Sequence, residues 1–264
     1  MSVLNFKKYL LEGDVSKCMS AVYAIEDLDA PHEALGMVPP IVYAAQHTHF
    51  EATAALIDAG ANVNAGDKHN MTALHCAVIN GNLGLVCLLV ESGALLRNEK
   101  GNTGWPLHTA CFHNKPTIAR YFIEHGVSAN ERDTFGDTPL LYAVRSKSLL
   151  LVHYLLSVGA DAKLQDAMGR SPLHVASANG FLQVCQLLMS QGATLDVQDC
   201  DGNTPLHFAC DNNEISLAKE LFRLGANTLV VNNQGYLPQD LTYNQDLCKL
   251  FSTQVQVPKS MAIV

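Results

Sequence analysis

Thr204-Pro205-Leu206-His207-Phe208-Ala209, closed sixteen positions later by Gly225-Ala226, is the stretch whose recurrence organises the chain. The residues that open the comparable tetrads are Pro39, Thr72, Trp105, Thr138, Ser171, Thr204 and Leu237, and every interval is 33 residues without insertion. Gly60, Gly93, Gly126, Gly159, Gly192 and Gly225 keep the same register. An unbroken period of this length is the mark of stacked supersecondary units, each packed only on its neighbours.

One period can be read chemically. The Thr204 hydroxyl is suited to cap a free backbone N–H, and Pro205 is preset for the first helical position. Leu206, Ala209 and Cys210 fall at i, i+3 and i+4, giving a first helix with a narrow face of small and apolar residues. A break at Asn212-Asn213 leads into Ile215–Leu224, whose Leu217, Leu221 and Leu224 can pack back on it. Gly225 then sits just past the helix end, where a left-handed residue is wanted. Asp201-Gly202 and Gln234-Gly235 read as tight turns before the next tetrad. Helices of roughly ten residues are marginal alone in water, so stacking must supply the stability.

Composition narrows the class. With 48% apolar and 16% charged residues, the 264-residue chain is too apolar for a disordered protein. Seventeen Lys+Arg against twenty-five Asp+Glu give a net charge of −8, the reverse of a nucleic-acid binder. The first twenty residues lack the order of a secretory leader, and the longest apolar run, Ser148–Val158, contains His153, so no membrane insertion is expected. Eight cysteines without a CxxC pair indicate neither a disulfide scaffold nor a zinc cage. The expected compartment is therefore reducing: cytoplasmic, with the nucleus also open.

The units resemble ankyrin repeats. The resemblance is carried by Thr72-Ala73-Leu74-His75-Cys76-Ala77, Pro106-Leu107-His108-Thr109-Ala110, Thr138-Pro139-Leu140, Ser171-Pro172-Leu173-His174-Val175-Ala176 and Thr204–Ala209, and it covers about residues 39–242. It implies an all-α, right-handed solenoid of helix-turn-helix units with projecting β-hairpin loops and a concave protein-binding face. It also implies that His75, His108, His174 and His207 bind neighbouring loop backbone. The expected organisation is degenerate N-terminal capping helices over 1–38, six repeats over 39–236, a C-terminal capping repeat over 237–251 and a frayed tail over 252–264. Some positions depart from the pattern. Thr103 stands where a turn glycine is wanted, so that hairpin is expected to be rearranged; Leu141 replaces a tetrad histidine and Lys147 an inter-helix glycine, so the fourth repeat is expected to be less regular or else functional.

A search for chemistry finds none. The tetrad histidines recur one helix layer apart, roughly 8–10 Å, and no two can share a metal. His47, His49 and Glu51 lack a metal-ligand spacing, and there is no GxSxG, HExxH or phosphate loop. Cys76, Cys111 and Cys210 sit at small helix positions and read as buried filler. No catalytic, cofactor or metal residue is assigned, and the chain is not expected to be an enzyme. Asn62-Val63-Asn64 resembles the hairpin sequence that asparagine hydroxylases recognise in ankyrin repeats, which makes Asn64 a candidate for hydroxylation; the alternative is that Asn64 simply stabilises its loop.

The positions left free by the scaffold point to partner binding. Seven residues after each tetrad start come Gln46, Ile79, Phe112, Arg145, Ala178 and Asp211; four after it come Tyr43, Cys76, Thr109, Tyr142, Val175 and Phe208. Hairpin tips add Met71, Phe135, Met168 and Arg170, and Trp105 opens a tetrad itself. Aromatics, Met and Arg are the types enriched at protein interfaces. The expected binding residues are Met71, Ile79, Trp105, Phe112, Phe135, Tyr142, Arg145, Met168 and Arg170. They would receive an apolar or aromatic anchor from a protein or peptide, with an acidic group meeting Arg145 or Arg170. A monomeric adaptor is the first reading. The alternative is the regulatory or substrate-recruiting ankyrin portion of a larger enzyme, such as a kinase or ubiquitin ligase, or of a channel. Pro39-Pro40-Ile41-Val42 lacks the capping Thr and the His of its neighbours, each worth about 1 kcal/mol, so amide exchange is expected to be faster over 39–60 than over 171–192.

Overall fold

Every inner helix after the second begins at the tetrad proline or its equivalent, because proline's missing N–H is one the first turn cannot use anyway. The computed structural model describes residues 2–97 and 105–252, and the chain divides into two compact units, Met1–Ser128 and Ala129–Val264. The expectations placed on Thr103 and on the tail after 252 lie outside the described residues.

The first unit opens with α1 (Ser2–Glu12) and α2 (Val15–Val22). It continues with three inner–outer pairs: α3 (Pro40–Gln46) with α4 (Phe50–Asp58), α5 (Ala73–Asn80) with α6 (Leu83–Glu91), and α7 (Pro106–Phe112) with α8 (Pro116–Glu124). The second unit holds α9 (Pro139–Arg145) with α10 (Leu149–Ser157), α11 (Pro172–Ala178) with α12 (Leu182–Ser190), α13 (Pro205–Asp211) with α14 (Ile215–Arg223), a 3₁₀ turn at Pro238–Leu241, and α15 (Gln245–Ser252). In both units inner helix packs on inner helix, and each packs on its own outer helix. Leu140, Leu173 and Leu206 form one buried row of the core, and Leu151 with Leu155, Val184 with Leu188 and Leu217 with Leu221 meet it from the outer layer.

Each inner helix turns into its outer helix through one left-handed residue: Thr48, Gly81, Asn114, Lys147, Gly180 and Asn213, with φ between 52° and 76°. Lys147, at φ 61°, adopts the conformation without disturbing α9 or α10, whose seven and nine residues match the neighbouring pairs. The fourth repeat is therefore regular, contrary to the irregularity that Leu141 and Lys147 suggested. Where Gly180 stands, a Cβ would meet the Glu214 carboxylate, the flexible end of a side chain that a larger residue there would have to displace.

The loops of the second unit are closed by two backbone bonds each, with no extended ladder among the described residues: Asp133 N–H to Asp137 O, Asp166 to Arg170, Asp199 to Asn203 and Asn232 to Tyr236, and in return Gly136, Gly169, Gly202 and Gly235 N–H to Asp133, Asp166, Asp199 and Asn232 O. The cause is the acidic or amide side chain that opens each loop. One oxygen of Asp133, Asp166, Asp199 and Asn232 accepts the N–H groups two and four residues on, at 2.8–3.1 Å, and so takes donors that a strand would use. Side chains one position earlier stack the loops. Arg132 donates to Gly136 O and Gln165 O, Gln165 to Gly169 O and Gln198 O, and Gln198 to Gly202 O and Val231 O.

The tetrad histidine ties one repeat to the next. In α11 the Ser171 N–H donates to His174 Nδ1 at 3.0 Å, and His174 Nε2 lies 3.0 Å from Asn203 O in the following loop. His207 repeats the arrangement with Thr204 N–H at 3.1 Å and Tyr236 O at 3.1 Å. A carbonyl only accepts, so Nε2 carries the proton and Nδ1 is the acceptor of a neutral ring. Burial, partly offset by the carbonyl contact, holds both imidazoles below the ordinary histidine range. Because the folded pKa is depressed, the stability of these contacts is complete above about pH 6.5 and is lost as pH falls below that value, when the unfolded chain takes up protons first. Thermal melts between pH 7.5 and 5 should show this slope. A His174→Ala/His207→Ala variant should lose about 1–3 kcal/mol per site at pH 7.5 and show a flatter pH dependence.

Candidate functional site

In the first unit, Met71 follows the loop closed by Asp67, whose Oδ1 accepts the N–H groups of His69 at 2.8 Å and Met71 at 2.9 Å. Ile79 lies in the last turn of α5. Met71 and Ile79, with Gln46, Cys76 and Asn80, line an open depression of about 160 Å³. Trp105 occupies the N-cap of α7, where a Thr or Ser would otherwise cap; its ring meets His108 edge-on at 5.7 Å, and the Arg97 guanidinium lies 5.9 Å from its centroid. Phe112 ends α7 with its ring edge-on to His113 at 5.1 Å.

The second unit holds Phe135, Tyr142, Arg145, Met168 and Arg170, and the three polar ones, Tyr142, Arg145 and Arg170, belong to two linked polar clusters. The Tyr142 hydroxyl donates to Asp133 Oδ2 at 2.9 Å. Arg145 reaches Asp137 Oδ2 at 2.5 Å and Asp166 Oδ2 at 3.0 Å, and Arg170 binds the same Asp166 oxygen at 2.9 Å. The Arg145 guanidinium also lies 5.6 Å from the Tyr142 ring centroid. Burial and then the Asp133 contact push the Tyr142 phenol up. Burial opposes the charge of Arg145, but Asp137 and Asp166 outweigh it and keep the guanidinium charged. Burial likewise opposes ionisation of Asp166, and the Arg170 N–H and guanidinium overcome it, so its carboxyl sits below the usual range.

Phe112, Phe135 and Met168 remain open to solvent, at 53%, 49% and 52% exposure, whereas Tyr142, Arg145 and Arg170 are half-buried. The expected meeting of Arg145 or Arg170 with a partner carboxylate finds those guanidinium groups already engaged by Asp137 and Asp166. Residue-by-residue reading missed these acids. A signal was available for Asp166, in the recurrence of Asp67, Asp133, Asp166 and Asp199 on the same 33-residue register, but not for Asp137, which lies off it. Asn64 donates through Nδ2 to Gly93 O at 3.1 Å and accepts Leu95 N–H at 2.8 Å, so both ends of its amide clamp the next repeat; Asn130 does the same with Gly159 O and Asp161 N–H.

Among the described residues no three His, Cys, Asp or Glu side chains are placed to share a metal ion, and no helix is long and apolar enough to cross a membrane. Burial raises the thiols of Cys76 and Cys210 to about 12 and pushes Cys111 up as well, which leaves them protonated and poor nucleophiles.

Stacked short helix pairs joined by side-chain-closed loops, with apolar groups left open on the inner helices and tips, define a repeat-built protein-interaction module. A family model described as ankyrin repeats (3 copies) matches residues 7–100, 94–166 and 147–232, and the chain belongs to the ankyrin-repeat family. Among solved structures, the ankyrin repeat domain of Bcl-3, a unique member of the IkappaB protein family, matches with a TM-score of 0.69 at 28% identity, over 81% of this chain and 97% of that one. Mouse (Mus musculus) protein phosphatase 1 regulatory subunit 27 is 46% identical over 70 residues, 26% of this chain and 45% of that protein. The Caenorhabditis elegans homolog of transient receptor potential cation channel subfamily A member 1 is 38% identical over 95 residues, 36% of this chain and 8% of that protein. The chain thus spans less than half the length of these curated relatives.

Asp166→Asn should leave the half-buried Arg145 and Arg170 facing a neutral amide and cost about 1–3 kcal/mol of stability, measured by urea unfolding at pH 7. Since the Asp166 pKa is lowered on folding, the wild-type advantage should be present above about pH 4 and disappear as the pH falls through the folded value.

Proposed function

We propose that the chain is a non-enzymatic, monomeric adaptor that grips a protein or peptide partner through its inner-helix face and hairpin tips. The contact residues would be Met71, Ile79, Trp105 and Phe112 in the first unit, and Phe135, Tyr142, Arg145, Met168 and Arg170 in the second. The observation that carries this reading is the exposure of Phe112, at the end of an inner helix whose other apolar residues are buried, and of Phe135 and Met168, one period apart on the loops. Segments 1–38 and 237–251 would serve as caps, and a reducing cytoplasm or nucleus fits the eight free cysteines and net charge of −8. Within this role the half-buried arginines are held by Asp137 and Asp166 and shape the surface, while the open apolar groups receive the anchor. A second reading, in which the array is the ankyrin portion of a larger enzyme or channel, is favoured by the 8% share of the channel homolog that the match spans.

Quantitative pull-down with Phe112→Ala and Phe135→Ala chains tests the first reading. Each should weaken capture by about 2 kcal/mol or more, while Gln46→Ala and Asp211→Ala cost under about 1 kcal/mol and melting temperatures hardly change. Undiminished capture by both phenylalanine variants, with loss at Gln46 or Asp211, would place the binding centre elsewhere.

A further inference from the structure

The loops of the second unit form a row, and what they offer a partner changes along it. Phe135 and Met168 hold equivalent places in successive loops and are open to solvent. The same place in the next loop holds Asp201, also exposed. The loops are in contact. Arg132 of the first donates to Gln165 O of the second at 2.6 Å, and Cys200 N–H of the third donates to Met168 O at 2.9 Å. A Cβ on Gly169 would come within 3.1 Å of the Asp199 Cα. Met168 is thus set directly against the Asp199-Cys200-Asp201 turn.

That turn keeps a charge that the earlier loops have neutralised. Tyr142, nine residues after Asp133, donates to its second oxygen. Arg145, twenty-one residues before Asp166, and Arg170, four after it, do the same for that acid. Around Asp199 the corresponding places hold Phe208, Ala178 and Asn203. Phe208 has no hydroxyl and stands edge-on to the His174 ring at 5.6 Å. Ala178 has no donor, and Asn203 is joined through its amide oxygen to Asn232 Nδ2 at 2.8 Å. Asp199 Oδ1 accepts the N–H groups of Asp201 and Asn203, while its Oδ2 meets no side-chain donor among the described residues. Asp133 and Asp166 are buried, whereas Asp199 is only half-buried. The Asp201 carboxylate makes no hydrogen bond or ion pair among the described residues.

The cations of this unit are engaged or placed elsewhere. Arg145 and Arg170 are held by Asp137 and Asp166, and Arg223 by Glu220. Arg132 is spent on two loop carbonyls, and Lys147 lies 4.9 Å from the Phe181 ring centroid. Lys163 lies beside Gly192, past the end of α12, and Lys219 and Lys249 belong to α14 and α15.

We propose that this row binds an extended partner segment that seats two apolar side chains, three positions apart, on Phe135 and Met168, and that presents a Lys or Arg three positions further on to Asp199 and Asp201. Successive repeats lie roughly 8–10 Å apart, and an extended chain advances about 3.3 Å per residue, which sets the step of three. The proposal rests on the protein-binding reading above and adds the chemistry of the partner. The cation that the chain itself supplies to Asp166 is left at Asp199 for the partner to supply. Carboxylates at one end of an apolar row fix the register of the segment and reject one that brings an acid there.

The test is selection of a displayed library of random twelve-residue peptides on the intact chain, followed by anisotropy titration of a labelled synthetic peptide of the selected sequence. The selected peptides should share two residues among Leu, Ile, Met and Phe at a step of three, with Lys or Arg one step beyond. Asp199→Asn removes the charge and keeps the loop, because Asn232 closes its own loop by accepting the same two backbone N–H groups at 3.1 and 2.9 Å. Asp199→Asn and Asp201→Asn should each weaken binding severalfold, and together at least tenfold. A peptide whose basic residue is changed to Glu should bind Asp201→Lys better than it binds the wild type, while Glu51→Gln, in the first unit, changes nothing. Melting curves establish that each variant folds, and Asp201→Asn carries the comparison alone if Asp199→Asn does not. Selection of acidic or uncharged peptides, selection of none, or affinity indifferent to the aspartate changes overturns the proposal. If binding is lost in Phe135→Ala and is indifferent to the aspartate changes, the protein-binding reading stands and the basic partner is wrong. Affinity unchanged in Phe112→Ala, Phe135→Ala and the aspartate variants overturns both.

Discussion

The neutral imidazole between a helix N-terminus and the carbonyl of the following loop is the contact on which this architecture turns. A helix of seven residues cannot hold itself together in water, and its first turn presents N–H groups with no internal partner. His174 and His207 accept one N–H of their own helix at Nδ1 and donate from Nε2 to the next repeat. One side chain therefore ends a helix and fixes its distance to the neighbouring unit. Where the tetrad changes, the cap changes with it. At Leu237 the backbone N–H finds the Asp240 carboxylate at 2.8 Å, and the repeat closes with a 3₁₀ turn in place of a full helix.

The same economy governs the loops. A carboxylate at the loop start takes two backbone donors with one oxygen and keeps the other for a side chain. Asp133 gives its second oxygen to Tyr142, and Asp166 gives its second to Arg145 and Arg170. The residues that look most available for a partner in the second unit are thus already part of the framework that shapes its loops. Their charge is largely spent within the chain. What remains open beside them is apolar, Phe135 and Met168, two tips one period apart.

The period, the helix pairs and the glycine register were legible because each follows from local chemistry repeated at fixed spacing: Pro at the first helical position, Gly past the helix end, small residues on the inner face. Lys147 misled for a physical reason. A left-handed residue between helices costs a non-glycine side chain only about 1 kcal/mol, and a packed repeat absorbs that without changing shape. The candidate surface was less legible. Sequence position places Arg145 on the inner helix, but only the fold brings Asp137 and Asp166 to it, from loops eight and twenty-one residues away in sequence. Register alone names which residues can face outward; it does not say which of them the neighbouring loop has already engaged.

That distinction separates the two units in kind. In the second, the Arg145 and Arg170 charges are paired, so around them a partner would be discriminated mainly by fit against Phe135 and Met168. In the first, the inner helices carry no charge, and the Asp67 carboxylate of the neighbouring loop, after burial, raises the Cys76 thiol. A scaffold built from nearly identical repeats can thereby present two different kinds of surface. The difference lies in whether the inner helices themselves bear charged groups, as α9 and α13 do with Arg145 and Asp211, or none, as in α3, α5 and α7.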